Sequence, residues 1–162
     1  MRSGILSPGC LPAALLLWSG CARGTPPRAP GVPFDPEALK PGDRVGTLVV
    51  DSRDVRLALD SIWVGTVRFR GELTLDGRTM RHPDSDVVAH CFEADSVSAA
   101  GIPRWAGDQR RPWFCFSNPD AAAGTLGPAS EGGTATIVID EFTIHRGLSD
   151  EVNSARFVRA IR

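Results

Sequence analysis

Between Thr66 and Leu75 the chain alternates with a period of two, and this pattern constrains the fold more than any other stretch. Val67, Phe69, Leu73 and Leu75 fall on one side, and Arg68, Arg70, Glu72 and Thr74 on the other. Such alternation marks a half-buried β-strand, because successive side chains of a strand point to opposite faces. Gly71 lies on the apolar side at the middle of the run. A glycine there predicts a bulge, a bend or the close approach of another backbone, and Asp76-Gly77 reads as a turn at the strand's end. A long strand bent at its centre suits a small barrel.

The same period recurs along the rest of the chain. Val45 to Val50 is a plausible first strand, and Val55, Leu57 and Leu59 alternate with Arg56, Ala58 and Asp60 in a second. Val87 to Phe92 and Trp113 to Phe116 are short apolar runs rich in β-branched and aromatic residues. Thr134 to Ile144 is strongly strand-like, and Ala155 to Ile161 supplies a last strand with Ala155, Phe157, Arg159 and Ile161 on one face. One short helix is expected over residues 119–123, with Asn118 as N-cap, Pro119 at the first position and Gly124 or Gly127 as the stop.

From Thr66 the order is therefore bent strand, strand, strand, short helix, strand, strand. This resembles the OB-fold, a five-stranded Greek-key barrel with a helix between its third and fourth strands. The resemblance covers residues 62–162 and implies a mainly β chain, a small OB-like barrel with one short helix and extra N-terminal strands. A β-sandwich of seven strands is the competing architecture.

The N-terminus carries a different signal. Arg2 provides a positive n-region, Leu11 to Trp18 an apolar h-region, and Ser19 and Gly20 are small residues before Cys21. The apolar run is broken by Pro12 and is far shorter than the roughly 20 residues that span a bilayer. Leu17-Trp18-Ser19-Gly20-Cys21 resembles the lipobox of bacterial lipoproteins. That resemblance implies a signal peptide over residues 1–20, lipidation of the Cys21 thiol, and anchorage to the membrane through acyl chains. Ala22 after the cysteine would favour the outer membrane. The alternative is an ordinary cut after Ala22, giving a soluble periplasmic or secreted protein. Residues 21–42, with Pro26, Pro27, Pro30, Pro33, Pro36 and Pro41, read as an extended tether, and residues 43–162 as the β-rich domain.

If Cys10 leaves with the signal and Cys21 is lipidated, Cys91 and Cys115 remain. Export places them in an oxidising compartment, where a disulfide is expected, with two buried free thiols as the alternative. Each lies in a predicted strand, so the bridge would staple two strands face to face or side by side.

Chemistry-bearing motifs are sparse. The chain has 18 basic and 19 acidic residues, a net charge of −1, and does not look like a nucleic-acid binder. His82, His90 and His145 show no metal-ligand spacing. Asp84-Ser85-Asp86 lacks the rest of an EF-hand loop, and Asp140 and Glu141, adjacent on a strand, face opposite sides unless a bulge intervenes. No GxSxG elbow, P-loop or GxGxxG occurs, and no cofactor is implied. Arg104-Trp105 and Arg110-Arg111-Pro112-Trp113-Phe114 remain as aromatic and arginine clusters of the kind favoured at binding surfaces. Arg104, Trp105, Arg111 and Trp113 are thus the candidate surface for a partner or small ligand; otherwise Trp105 pins its loop to the core. The expected function is that of a non-enzymatic envelope lipoprotein binding another envelope protein or a small ligand. The rival is a hydrolase using His90 or His145 with a nearby acid.

Overall fold

A computed structural model describes residues 30–58, 62–82, 89–128, 132–148 and 151–161. The strands are β1 (Val32–Phe34), β2 (Arg44–Val45), β3 (Leu48–Ala58), β4 (Ile62–Arg70), β5 (Leu73–Arg81), β6 (His90–Ala94), β7 (Pro103–Trp105), β8 (Trp113–Phe116), β9 (Thr134–Arg146) and β10 (Asn153–Ile161). Among the described residues one α-helix, α1 (Pro119–Leu126), falls between β8 and β9, and a 3-10 turn covers Ser98–Gly101.

Strands β10, β8, β6, β5 and β9 are hydrogen-bonded in that order, and β9 pairs again with β10, so five strands close into a ring. Closure removes sheet edges within the ring, and it excludes the sandwich. The meander β5-β6-β8 is antiparallel, β8 meets β10 in parallel, and β10 meets β9 antiparallel. With α1 between the third and fourth ring strands, this is the OB-like barrel that the element order predicts. Strand β4 is the first half of the bent strand that β5 continues, and β3 and β2, which lie outward from β4, are the extra N-terminal strands.

The alternating segment behaves as read. Val67 and Phe69 are fully buried, Leu73 and Leu75 nearly so, while Arg68, Arg70, Glu72 and Thr74 are exposed. Gly71 adopts φ +116° between β4 and β5, and a Cβ there would lie 3.2 Å from Leu48 Cδ2. The bend lets one continuous run pair with β9 on both sides of the glycine. Asp76-Gly77, in contrast, is not a turn: β5 runs through it to Arg81. The glycine is needed there for space, since a Cβ would sit 2.2 Å from the Glu93 carbonyl oxygen and 2.7 Å from the Phe92 ring.

Other local expectations are corrected. Val45 to Val50 is no single strand; the chain reverses at Gly46-Thr47 and forms the β2-β3 hairpin, and the second expected strand is the far half of β3. Leu59 and Asp60, like Val87 and Val88, lie outside the described residues. Residues 32–42 of the proline-rich segment pack on the domain: β1 pairs in parallel with β7, and Phe34 and Leu39 join the core. Three apolar side chains in that segment, Val32, Phe34 and Leu39, outweigh its prolines. In β10, a register shift between Phe157 and Arg159 breaks the alternation, so Ala160 packs toward the core while Arg159 and Ile161 are exposed.

Phenylalanines fill the barrel. Phe114 meets Phe92, Phe116 and Phe142 at ring-centroid distances of 6.0, 5.7 and 5.9 Å, and Phe116 meets Phe157 at 5.5 Å. Edge-to-face geometry of this kind adds to the area term. Helix α1 packs on β6, β8 and β10, with Pro119 in its first turn and Gly127 at its end. Asn118 stands at the N-cap position but does not cap. Its side chain instead donates to the Phe157 carbonyl at 2.9 Å and accepts from the Phe157 amide at 2.8 Å, joining the helix start to β10.

Candidate functional site

The register of β6 on β8 sets Cys91 opposite Cys115, Phe92 opposite Phe114 and Glu93 opposite Trp113. Alternation then separates two faces. Phe92, Phe114 and Phe116 turn inward, and Cys91, Glu93, Trp113 and Cys115 turn to the outer face. Cys91 and Cys115 are disulfide-bonded, joining the strands side by side.

Glu93 organises the outer face. Its carboxylate, 12% exposed, accepts a hydrogen bond from Arg78 Nε at 2.8 Å and pairs with Arg111 on its other oxygen. The Arg111 side chain is 70% exposed, so its guanidinium remains open to solvent while fixed in direction. Arg111 stands between two concavities. One, of about 770 Å³, is lined by Asp76, Arg78, Glu93, Asp95 and Thr136 among others, with Ile161 as an apolar contact. Thr136 Oγ1 donates to Asp76 Oδ1 at 2.5 Å in its wall. The other, of about 260 Å³, is formed by His82, Arg110, Trp113, Glu151 and Asn153. Here His82 opens the β5-β6 connection, Glu151 comes from the β9-β10 connection and Asn153 begins β10, and the His82 and Trp113 rings meet at 5.5 Å.

The four residues singled out in the sequence divide into two pairs. Arg111 and Trp113 belong to this face. All four residues border one small cavity of about 30 Å³, but Arg104 and Trp105 are buried, 7% and 3% exposed. Because β7 pairs with β1, the loop turns both into the domain: Trp105 packs against Phe34 at 5.9 Å and carries the Arg146 guanidinium over its ring at 5.7 Å. Arg104 Nη1 donates to the Asp108 carbonyl at 2.5 Å.

Arg110 braces the loop. It donates to the Asp108 carboxylate, with Nη2 at 2.7 Å, to the Glu151 carbonyl at 2.6 Å and to the His145 carbonyl at 3.2 Å. Burial alone would push the Asp108 carboxyl up, but the Arg110 hydrogen bonds and charge, aided by Arg146, hold it below the usual carboxylate range. The second concavity is thus built on a fixed floor.

The two histidines singled out for hydrolysis, His90 and His145, sit in different surroundings. His90 is 2% exposed, its ring stands edge-on to Phe116 at 5.7 Å, and neither ring nitrogen has a partner among the described residues. Burial pushes its pKa down. His145 Nδ1 lies 3.4 Å from Thr66 Oγ1, and Nε2 lies 3.3 Å from Ser154 Oγ. Its pKa is also lowered, by burial first and then by the charges of Arg110 and Arg68, against an opposing contribution from Glu151. Among the described residues neither imidazole bonds a carboxylate, the partner a hydrolytic base needs to fix its tautomer. Asp140 and Glu141 do converge, because Glu141 takes φ +47° in a bulge of β9, yet both carboxylates bind Arg156. Among the described residues no three His, Cys, Asp or Glu side chains group to hold a metal, and no helix is long and apolar enough to cross a membrane. Cys21 and Asp84-Ser85-Asp86 lie outside the described residues.

Sequence reasoning missed Glu93 and Arg78. The signal was available in the cysteine pair: an antiparallel bridge that joins neighbouring strands in register sets the residue two after Cys91 opposite the residue two before Cys115, which are Glu93 and Trp113.

The class defined by these features is a small OB-like barrel with a polar, arginine-centred groove on the outer face of its first three ring strands. Comparison with protein-family models, with curated proteins and with solved structures finds no match for this chain.

Proposed function

We propose that the chain is an exported envelope lipoprotein, anchored through Cys21, whose barrel is a non-enzymatic binding module. The observation that carries the binding assignment is the placement of Arg111: an exposed guanidinium, held by Glu93, between two concavities and beside Trp113. A directed guanidinium suits carboxylate or amide oxygens, and a half-buried indole offers a flat apolar surface, the residue pair enriched at the centres of binding surfaces. Carboxylates at Asp76, Glu93 and Asp95 balance the arginines, which favours a polar partner or small ligand over a polyanion. His82, after β5, and Glu151, before β10, border the smaller concavity and stand at the ends of the two connections that OB-like barrels use for ligands. Support for export comes from the n-region, h-region and small residues before Cys21 and from the Cys91–Cys115 bridge, the kind of bond that persists in an oxidising compartment.

Two experiments test the parts separately. A photoreactive amino acid placed at Thr134, an exposed residue in the wall of the larger concavity, in intact cells should give a crosslinked adduct that the same group at Asp120, on α1, does not. Equal adducts at both positions, or none at Thr134, would overturn the assigned face. Acyl-chain labelling should be lost in Cys21→Ala, and its persistence would sink the lipid anchor.

A further inference from the structure

Closure protects the ring strands, but β3 lies outside the ring and is paired on one side only for most of its length. On its outer side β2 covers Leu48 and Val49, and the hydrogen bonds from the Gly42 amide to the Val50 carbonyl and from the Val50 amide to the Asp43 carbonyl end that coverage. A register shift between Val50 and Ser52 follows. From Ser52 to Ala58, among the described residues, no backbone group bonds a strand on that side, although the whole run is paired with β4 on the other. A free edge of this length is a template for another strand.

We infer that this edge pairs antiparallel with β3 of a second copy of the chain, on a two-fold axis through Val55. The register follows from the space available. The incoming strand is bounded by the end of β2 on one side and by the end of β3 at Ala58 on the other, and Val55 is the midpoint of Ser52 to Ala58. A two-fold at Val55 sets Asp54 of each copy opposite Arg56 of the other, twice by symmetry. Both side chains are exposed, and neither has an ion-pair or hydrogen-bond partner among the described residues. Charges on an edge ordinarily deter pairing because like meets like; here the symmetry brings unlike charges together. On the other face Val55 meets its own copy. Leu57, 50% exposed and the most exposed apolar side chain of the strand, comes to lie against Arg53, whose guanidinium already donates to the Pro36 carbonyl at 2.6 Å. The occupant is therefore a second copy, selected by self-complementary charge and by register.

A seven-residue ladder is a small interface, so the association is weak, with a dissociation constant on the order of 10 μM. Sedimentation of the purified full chain across that range should show a monomer-dimer equilibrium. Asp54→Arg and Arg56→Asp, each alone, should raise the dissociation constant about tenfold or more by bringing like charges together. The combined exchange, Asp54→Arg with Arg56→Asp, should restore dimerisation. Both positions are exposed, so unchanged circular dichroism will confirm folding. A monomer at several hundred micromolar, or a dimer indifferent to the single reversals, would overturn the inference. So would failure of the combined exchange to restore a dimer lost in both single variants.

Discussion

The inner and outer faces of β6 and β8 are built from neighbouring residues of the same two strands, yet they solve different problems. Inward, Phe92, Phe114, Phe116 and His90 are within 5% of complete burial and have no solvent to satisfy. Outward, Cys91, Glu93, Trp113 and Cys115 carry a covalent link, an ion cluster and a half-exposed ring. Stability should reside on the first face and recognition on the second, with the disulfide as the exception that stabilises from outside.

The largest effect should come from the inner face. Phe92→Ala removes a fully buried ring that touches Phe114 and Phe116, and about 3–5 kcal/mol of unfolding free energy should be lost in urea titration. Trp113→Ala, one row away on the outer side, should cost much less while weakening crosslinking from Thr134. Comparable losses for the two would erase the division.

The disulfide comes next. Replacing Cys91 and Cys115 together by Ser should cost about 3 kcal/mol, because the bond closes a loop of 24 residues in the unfolded chain. Reductant applied to the unaltered protein should lower the thermal midpoint by the same amount as the double substitution. A much smaller shift would mean that residual structure already limits the unfolded ensemble.

How much of this was legible in the sequence differs between the two faces. Inward residues announce themselves by period, so Val67, Phe69, Leu73, Leu75 and the strand containing Phe114 and Phe116 could be placed without coordinates. Element order then carried the OB-like topology. What period cannot encode is where a run is cut or spliced. Gly46 reverses the chain inside an apolar stretch, Asp76-Gly77 stays extended because β6 presses on it, and the shift after Phe157 turns Arg159 outward. The first is a local hairpin that the apolar run hides, and the other two depend on partner strands elsewhere in the chain. The site was half legible for the same reason. Arg111 and Trp113 stood out by composition, but Arg104 and Trp105 have the same composition and are buried by the pairing of β1 with β7, a contact separated by some seventy residues. Glu93 drew no notice alone and acquires its role only from Arg78 on β5 and Arg111 just before β8.

Acid should probe the inner face again, through its one titratable member. The His90 imidazole is held neutral by burial and its pKa lies below the ordinary 6.5, whereas the unfolded chain takes up the proton near that value. The unfolded state therefore binds more protons as pH falls through about 6.5, and the associated stability, complete above that value, is lost progressively down to the folded pKa. Urea midpoints measured from pH 7.5 to 5 should fall in the unaltered protein and fall less in His90→Phe. The residual slope belongs to His145, which is shifted in the same direction. An identical slope in His90→Phe would mean that the ring already exchanges its proton in the folded barrel.

The smallest effect on folding should come from the outer face, and it sharpens the comparison most. Glu93→Gln keeps shape while removing the charge shared by Arg78 and Arg111, whose side chains are 54% and 70% exposed. Solvent screens such pairs, so unfolding free energy should change by no more than about 1 kcal/mol. A cycle of Glu93→Gln, Arg111→Gln and the double variant should give a folding coupling of that size or less. Crosslinking from the face should respond differently, because freeing both guanidiniums reverses the local charge balance and releases Arg111 from its fixed direction. Loss of partner capture with unchanged stability is the signature of a surface shaped for recognition. A coupling of several kcal/mol would instead make the Arg78-Glu93-Arg111 cluster a strut of the barrel, and would move the outer face of β6 and β8 to the side of the inner one.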